Sequence, residues 1–247
     1  MSIYVISDLH ISVDGQKPMD IFGGNWTGHM EKLKQNWISL VGPDDTVLMP
    51  GDFCWAMDLK EAAGDFAWLS ALPGKKVLSK GNHDYWWQTM AKLNKFLMDN
   101  NYQDIAFLYN NAILAEGWAV CGTRGWLSPG DEGFGPEDAR VYAREIERLR
   151  RSANEAQKLP GREKGLMAIL HYPPFDARGG ATPLTNVIRD AGASHCFYGH
   201  LHGAGGRRTL PMEMDGVLYQ LVAADSLNFV PMRLELSGDL VYNTKFE

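Results

Sequence analysis

Cysteine is scarce in this sequence, which has only three, Cys54, Cys121 and Cys196, among 247 residues. They are odd in number and widely spaced, and the sequence has no C-x-x-C or Cys/His zinc pattern. These absences argue against a disulfide framework and against a thiolate metal site. We expect reduced cysteines that are buried as small apolar residues, in a reducing compartment.

Positive charge is also in short supply, because 24 Lys and Arg face 30 Asp and Glu, for a formal net charge of -6. Such a surface repels nucleic acid and anionic membranes, so we expect no long nucleic-acid track. The apolar run at the N-terminus is short, ends at Asp8 and has no basic segment before it, unlike a signal peptide or a membrane span. These features predict a cytoplasmic protein without a membrane partner.

The apolar content of 45% is sufficient for a substantial core, and we expect residues 1–247 to form a single domain. Five short apolar runs are typical of buried strands, and each is followed by polar residues. These predicted strands are residues 3–6, 46–49, 75–79, 167–170 and 196–198. Helical patterns occupy residues 30–41, 59–72, 87–100 and 184–191, the last with Thr182 or Thr185 as its cap.

Alternating strands and helices indicate a layered α/β fold with its open positions at the carboxyl ends of the strands. Runs at 118–122, 217–222 and 232–236 lack intervening helices and predict a second sheet of mostly antiparallel character. The predicted fold class is therefore a four-layer α-β-β-α sandwich, two mixed sheets flanked by helices. A Gly/Pro-rich loop at 126–135 and a charged helix at 136–158 suggest an insertion near 126–160.

Side chains of the type that binds metal follow the five predicted strands. They are Asp8, His10, Asp52, Asn82, His83, Asp84, His171, His200 and His202. Any one of these alone is weak evidence, but the whole set, with glycines flanking three of its clusters, is an improbable coincidence. Asp8 and His10 are two residues apart and point the same way, whereas a turn after Gly199 can spread its histidines over two ions. The pattern favours a centre of two divalent ions, manganese, iron or zinc rather than calcium.

The ordered pattern D-x-H, G-D, G-N-H-[DE], H and G-H-x-H, complete from Asp8 to His202, resembles the calcineurin-like metallophosphoesterase superfamily. The resemblance implies a β-sandwich flanked by helices and hydrolysis of phosphate esters by a metal-bridging hydroxide. Two further segments, residues 17–23 and 122–126, are similar to a bacterial subgroup of predicted phosphohydrolases.

The resemblance also implies a role for each matching residue. Asp8, His10 and His202 would hold one metal ion; Asn82, His171 and His200 would hold the other; Asp52 would bridge the two. His83 would contact the scissile phosphate and stabilise the transition state or protonate the leaving group. Asp84, where the family often has Glu, would orient His83.

Arg124 follows the predicted strand at 118–122 and has two open interpretations, a contact to substrate phosphate or an ordinary salt bridge. The expected substrate is a small phosphorylated molecule, either a monoester or a small diester. One alternative is a nuclease or cyclic-nucleotide phosphodiesterase on the same centre, for which a basic groove would be expected. Another is a non-catalytic metal-binding scaffold, which would lack a ligand or His83. The sequence leaves the oligomeric state open.

Overall fold

The computed structural model describes residues 1–203 and 211–234, whose strands form two mixed sheets. The strands are β1 (Ile3–Val5), β2 (Thr46–Met49), β3 (Lys75–Ser79), β4 (Ile105–Leu108), β5 (Ile113–Ala115), β6 (Trp118–Thr123), β7 (Gly165–Leu170), β8 (Ala193–Tyr198), β9 (Met212–Met214), β10 (Val217–Leu221) and β11 (Met232–Leu234). All five strands predicted to carry polar residues at their ends are present. The last two residues of the run predicted at 232–236 lie outside the described residues.

The first sheet has the order β11-β1-β2-β3-β4, and the second has the order β5-β6-β7-β8-β10-β9. In the first sheet β1 to β4 are parallel, and β11 is antiparallel to β1. In the second sheet β6, β7, β8 and β10 are parallel, and only the edge strands β5 and β9 are antiparallel. Two expectations were therefore wrong: the second sheet is mostly parallel, and β11 belongs to the first sheet.

The parallel pairing of the second sheet has a cause in the connections between its strands. The helices are α1 (His29–Leu40), α2 (Ala63–Ser70), α3 (Met90–Asp99), α4 (Pro136–Lys158) and α5 (Pro183–Asp190). α4 connects β6 to β7 and α5 connects β7 to β8, and such crossovers are what parallel neighbours require. The side chain of Thr182 accepts hydrogen bonds from the backbone N–H groups of Leu184 and Thr185, so the predicted cap of α5 is confirmed.

Three separate apolar clusters define the layers. The first lies between α1, α2, α3 and the first sheet, and includes Trp37 and Phe66. The second lies between the two sheets, where Val5 and Leu48 meet Ile169 and Phe197. The third lies between the second sheet and the helices α4 and α5. Helices, sheet, sheet and helices therefore follow one another, and the predicted four-layer α-β-β-α sandwich is confirmed.

The three cysteines are all free and buried, as the sequence predicted. Among residues 1–203 and 211–234, none of the helices combines the length and the apolar character needed to cross a membrane.

Gly122 in β6 leaves no room for a side chain between its neighbour β7 and the first sheet. A Cβ atom at this position would lie 2.3 Å from the carbonyl oxygen of Ile169 and 2.9 Å from a methyl group of Leu108. We expect Gly122→Ala to lower the free energy of unfolding by about 1–3 kcal/mol, because overpacking forces neighbouring groups apart. Urea unfolding of the metal-free protein measures this change.

Gly64→Ala in α2 is the matched control, since a Cβ atom there meets nothing within 4 Å. It should raise the free energy of unfolding by about 0.5–1 kcal/mol through helix propensity. Equal stability of the two variants would contradict the packing explanation.

Candidate metal centre

The carboxyl ends of strands from both sheets meet at one edge of the sandwich. Backbone hydrogen bonds join the loops that follow these strands: Asp8 N–H donates to the Gly51 carbonyl (3.0 Å) and Gly199 N–H donates to the His171 carbonyl (3.1 Å). Ser7 also pairs with Ala223, which links the ends of the two sheets. Side chains that are far apart in sequence are thereby brought to one place.

The ligand atoms of Asp8, His10 and His202 lie within 4.8 Å of one another. Asp8 is fixed by the hydroxyl of Ser7 (2.5 Å) and by the backbone N–H of His200 (3.0 Å to each carboxylate oxygen). His10 is fully buried, and neither of its ring nitrogens has a hydrogen-bond partner among the described residues. A buried imidazole without partners is costly unless something binds it.

A second group of donor atoms converges on the amide oxygen of Asn82. This oxygen lies 2.6 Å from Nε2 of His171 and 2.9 Å from Nδ1 of His200. The other nitrogen of His171 lies 3.0 Å from the carbonyl oxygen of Pro50 and is placed to donate to it. Such a hydrogen bond to a backbone carbonyl is how proteins orient a metal-binding histidine.

Asp52 lies between the two groups. Its Oδ2 atom is 3.7 Å from Nε2 of His10 and 3.4 Å from Nε2 of His171. Oδ2 is buried without a hydrogen-bond partner, whereas Oδ1 accepts a hydrogen bond from the backbone N–H of His83 (2.8 Å). One oxygen of Asp52 is therefore anchored, and the other is available to a ligand shared by both groups.

Burial and charge set the protonation of this cluster. Burial lowers the pKa of His10 to about 3, and burial together with His171 lowers the pKa of His200 to about 3, so both rings are neutral and have a lone pair to offer. Burial also opposes a charge on His171, but the Asp52, Asp8 and Asp84 carboxylates together outweigh it and raise the pKa of His171 to about 9. The carboxylates thus favour positive charge at the buried His171.

These donors fit a metal site. Unpartnered buried nitrogens of His10, an unpartnered oxygen of Asp52 and converging atoms around Asn82 are the arrangement that a divalent cation satisfies. The structure therefore brings together all seven ligand residues predicted from the sequence, which are Asp8, His10, Asp52, Asn82, His171, His200 and His202.

Four of these residues have a backbone conformation that side chains other than glycine seldom adopt. Asp8, His10, Asp52 and His200 have φ angles of 55°, 47°, 54° and 69°. Left-handed residues of this kind cost free energy and cluster at functional sites.

Three glycines allow the loops to approach closely enough. A Cβ atom on Gly81 would lie 2.1 Å from Oδ1 of Asp52, and one on Gly199 would lie 2.4 Å from Oδ2 of Asp8. A Cβ atom on Gly51 would lie 2.6 Å from the backbone of Gly81. The glycines beside the ligands are therefore required for space at the centre.

Asp84 has a different role from the one expected. Its carboxylate accepts four hydrogen bonds, from the backbone N–H groups of Gly81 (2.7 Å), Asp52 (2.9 Å) and Phe53 (2.9 Å) and from Nε1 of Trp86 (3.1 Å). Nδ1 of His83 has no partner among the described residues. Asp84 is thus too occupied with loop N–H groups to orient the His83 ring, and it holds the two loops together instead.

Arg124 lies where β6 ends and forms a loose salt bridge, 3.5 Å from Nη2 to Oε1 of Glu145. Arg148 is closer to the same oxygen, at 2.5 Å. The Arg124 guanidinium lies 4.3 Å from the ring centre of Trp126, and its Nε atom has no partner among the described residues. The salt bridge predicted as one alternative is present, and it leaves part of the guanidinium free.

Aromatic residues that the sequence patterns did not single out form the surroundings of the histidines. Trp55 lies between two of them, with ring-centre distances of 4.7 Å to His10 and 4.5 Å to His83. Tyr172 packs on His200 at 4.1 Å. Only its position directly after His171 could have drawn attention to Tyr172, because a single aromatic residue in a loop carries no spacing signal.

Asp, Asn and His side chains gathered at the strand ends of a two-sheet α/β sandwich are an arrangement that could hold metal ions beside a substrate. A family model described as calcineurin-like phosphoesterase matches residues 1–204. The chain belongs to this family.

Individual proteins resemble this chain over a shorter length or at low sequence identity. The Gene 66 protein of Mycobacterium phage L5 is 36% identical over 78 residues, which are 32% of this chain and only 37% of the phage protein. The protein TT1561 of Thermus thermophilus has a similar fold, with a TM-score of 0.60 and 14% identity over 97% of this chain and 96% of that one. The phosphopantetheinyl hydrolase PptH of Mycobacterium tuberculosis has a TM-score of 0.54 and 16% identity over 90% and 88%. At these identities the two structures show the fold alone.

The carboxylate of Asp84 should contribute to stability independently of metal. In Asp84→Asn, the new NH₂ group would face N–H donors of the loops, and donors cannot bond to each other. We therefore expect this variant to lower the free energy of unfolding by about 1–3 kcal/mol. Urea unfolding in the presence of a chelator measures this change. The exposed Asp44→Asn is the control and should stay within about 0.5 kcal/mol of wild type. A loss no greater than that of the control would show that the four hydrogen bonds are unimportant.

Proposed function

We propose that this chain hydrolyses small phosphate esters, monoesters or small diesters, at a centre of two divalent cations. In this proposal Asp8, His10 and His202 hold one ion, Asn82, His171 and His200 hold the other, and Asp52 binds both. The ligand chemistry suits manganese, iron or zinc. We also propose that residues 1–247 form one catalytic domain, in which the 126–160 segment forms part of the wall beside the centre.

The observation that carries the proposal is the position of Asp52. Its free oxygen lies 3.7 Å from His10 and 3.4 Å from His171, which belong to the two different ligand groups. A single ion would require only one of the groups. A shared carboxylate between two groups of three ligands supports a dinuclear site.

Two bound cations would lower the pKa of a water molecule held between them and neutralise the phosphoryl oxygens. The contribution of the chain is to hold this geometry rigidly. His200 N–H donates to both oxygens of Asp8, and His83 N–H donates to Asp52, so the ligands do not need to reorganise when substrate binds.

We propose that His83 acts on the leaving group. Its backbone is tied to Asp52, and its ring packs on Trp55 at 4.5 Å and lies 5.6 Å from the ring centre of His10. Nδ1 of this ring has no partner among the described residues. We assign His83 the transfer of a proton to the departing ester oxygen, or the stabilisation of charge on that oxygen.

The direct test is hydrolysis of an aryl phosphate monoester and a matching diester by metal-stripped protein with manganese added back. His83→Ala should keep its metal content and lose about 10²–10⁴-fold in kcat, because only proton transfer is removed. Asp52→Asn should lose both metal and activity, since the shared ligand loses its charge.

The exposed Gln35→Ala serves as the control and should behave as wild type. Metal binding without cleavage of either ester would support the scaffold alternative, and a strong preference for the diester would support the phosphodiesterase alternative. Full activity of His83→Ala would contradict the role of this residue.

Arg124 has an unpartnered Nε and a loose contact to Glu145, so we propose that it also binds a phosphoryl oxygen of the substrate. Arg124→Gln should lower kcat/KM for the dianionic monoester by about 10- to 100-fold, the effect of a charge-assisted hydrogen bond. The loss should be smaller for the monoanionic diester. Arg144→Gln, an exposed position on α4, is the control. If the two variants had the same kcat/KM, the proposed contact between Arg124 and the substrate would be wrong, and its salt bridge would be its only role.

A further inference from the structure

A cavity of about 420 Å³ opens directly beside the candidate metal centre. His200 is part of its wall, and so is Tyr172, whose ring packs on that of His200 at 4.1 Å. The rest of the wall comes from the loop after β6, from the segment after His171, and from Tyr198 at the end of β8 and Leu201 after it. The volume lies within the range of small-molecule binding sites.

The lining of this cavity is largely apolar. Its apolar members are Trp126, Leu127, Tyr172, Pro173, Phe175, Ala177, Tyr198 and Leu201. The charged members among the described residues are the two carboxylates Asp131 and Asp176, and none of the described lining residues is Lys or Arg. The lining therefore suits a flat apolar group and disfavours a second anionic group.

The aromatic walls are held in place before any ligand arrives. Nε1 of Trp126 donates to Asp138 (2.8 Å), and the Arg124 guanidinium lies 4.3 Å from the Trp126 ring. Phe175 packs on Tyr198 at 5.6 Å. Oδ1 of Asp176 accepts the backbone N–H of Gly180 (2.7 Å), which closes the turn at the cavity wall. A preformed cavity does not have to spend binding free energy on ordering its own side chains.

The cavity adjoins the candidate metal centre, because His200 belongs to both. A phosphoryl group held by the cluster would lie beside His200, so one esterifying group could extend from there along Tyr172 towards Trp126. The proposed reaction gives this cavity no other role.

We propose that this cavity binds the esterifying group of the substrate and selects phosphate esters of uncharged, largely apolar alcohols of aryl size. The proposal rests on the proposed phosphoesterase function and adds the class of substrate to it. Esters that carry further phosphate or carboxylate groups on the alcohol would be poor substrates, because Asp131 and Asp176 would face them.

The test compares 2-naphthylmethyl phosphate with ethyl phosphate, two alkyl esters that differ in the size of the alcohol more than in its chemistry. Wild type loaded with manganese should prefer the naphthylmethyl ester in kcat/KM. Leu127→Ala and Phe175→Ala should each reduce that preference about tenfold, since each removes apolar contacts from one wall. Leu114→Ala, a half-exposed position on the edge strand β5, is the matched control and should keep the wild-type preference.

The use of a ratio keeps the test informative if a variant folds poorly, because loss of folded protein lowers both rates equally. Cleavage of both esters with no preference in wild type, or with a preference that Leu127→Ala and Phe175→Ala leave unchanged, would overturn the cavity assignment and leave the proposed reaction standing. If neither ester is cleaved, calorimetric titration with 2-naphthalenemethanol measures binding to wild type and to the two variants. Binding that weakens about tenfold in the two variants would then uphold the cavity while the proposed reaction fails, and absent or unchanged binding would overturn both.

Discussion

The buried carboxylate of Asp84 is the interaction on which the candidate centre depends. It gathers N–H groups from the loop after β2 and from the loop after β3, at 2.7–3.1 Å. These two loops carry Asp52, which is proposed to bind both ions, and Asn82, which is proposed to bind one of them. Hydrogen bonds to a buried carboxylate are stronger than bonds between neutral groups, so this anchor fixes the distance between the two loops. The rest of the site is built around that distance.

Four of the seven proposed ligands are held in an unfavourable backbone conformation. Asp8, His10, Asp52 and His200 all have φ angles between 47° and 69°, and each such residue costs on the order of 1–3 kcal/mol. The apolar clusters between the layers offset this cost, because they fix the strand ends from which the ligand loops emerge. The stable core therefore holds these four residues in a conformation that they would leave if the loops were free.

Much of the fold could be predicted because its signals are local. β2, β3 and α4 begin and end where their sequence patterns predict, since apolar runs, glycine and proline mark their limits. The expectation of a mostly antiparallel second sheet failed because strand direction is set by where the connecting helices pack, and no local pattern records this. The sheet of β11 was predicted wrongly for the same reason. This strand pairs with β1, which is at the opposite end of the described chain.

The sequence by itself determined the kinds of ligand and their place after apolar strands, from Asp8 to His202, because residue type and strand periodicity are written locally. Only the tertiary structure decided that Asp52 lies between His10 and His171, that Asp84 binds loop N–H groups rather than His83, and that Tyr172 and Trp126 wall a cavity beside His200. Most of these relations join residues far apart in the sequence: Asp52 and Asp84 are 32 positions apart, and Asp52 and His171 are 119 apart. They depend on how two sheets pack face to face, and that packing is a property of the whole core rather than of any segment.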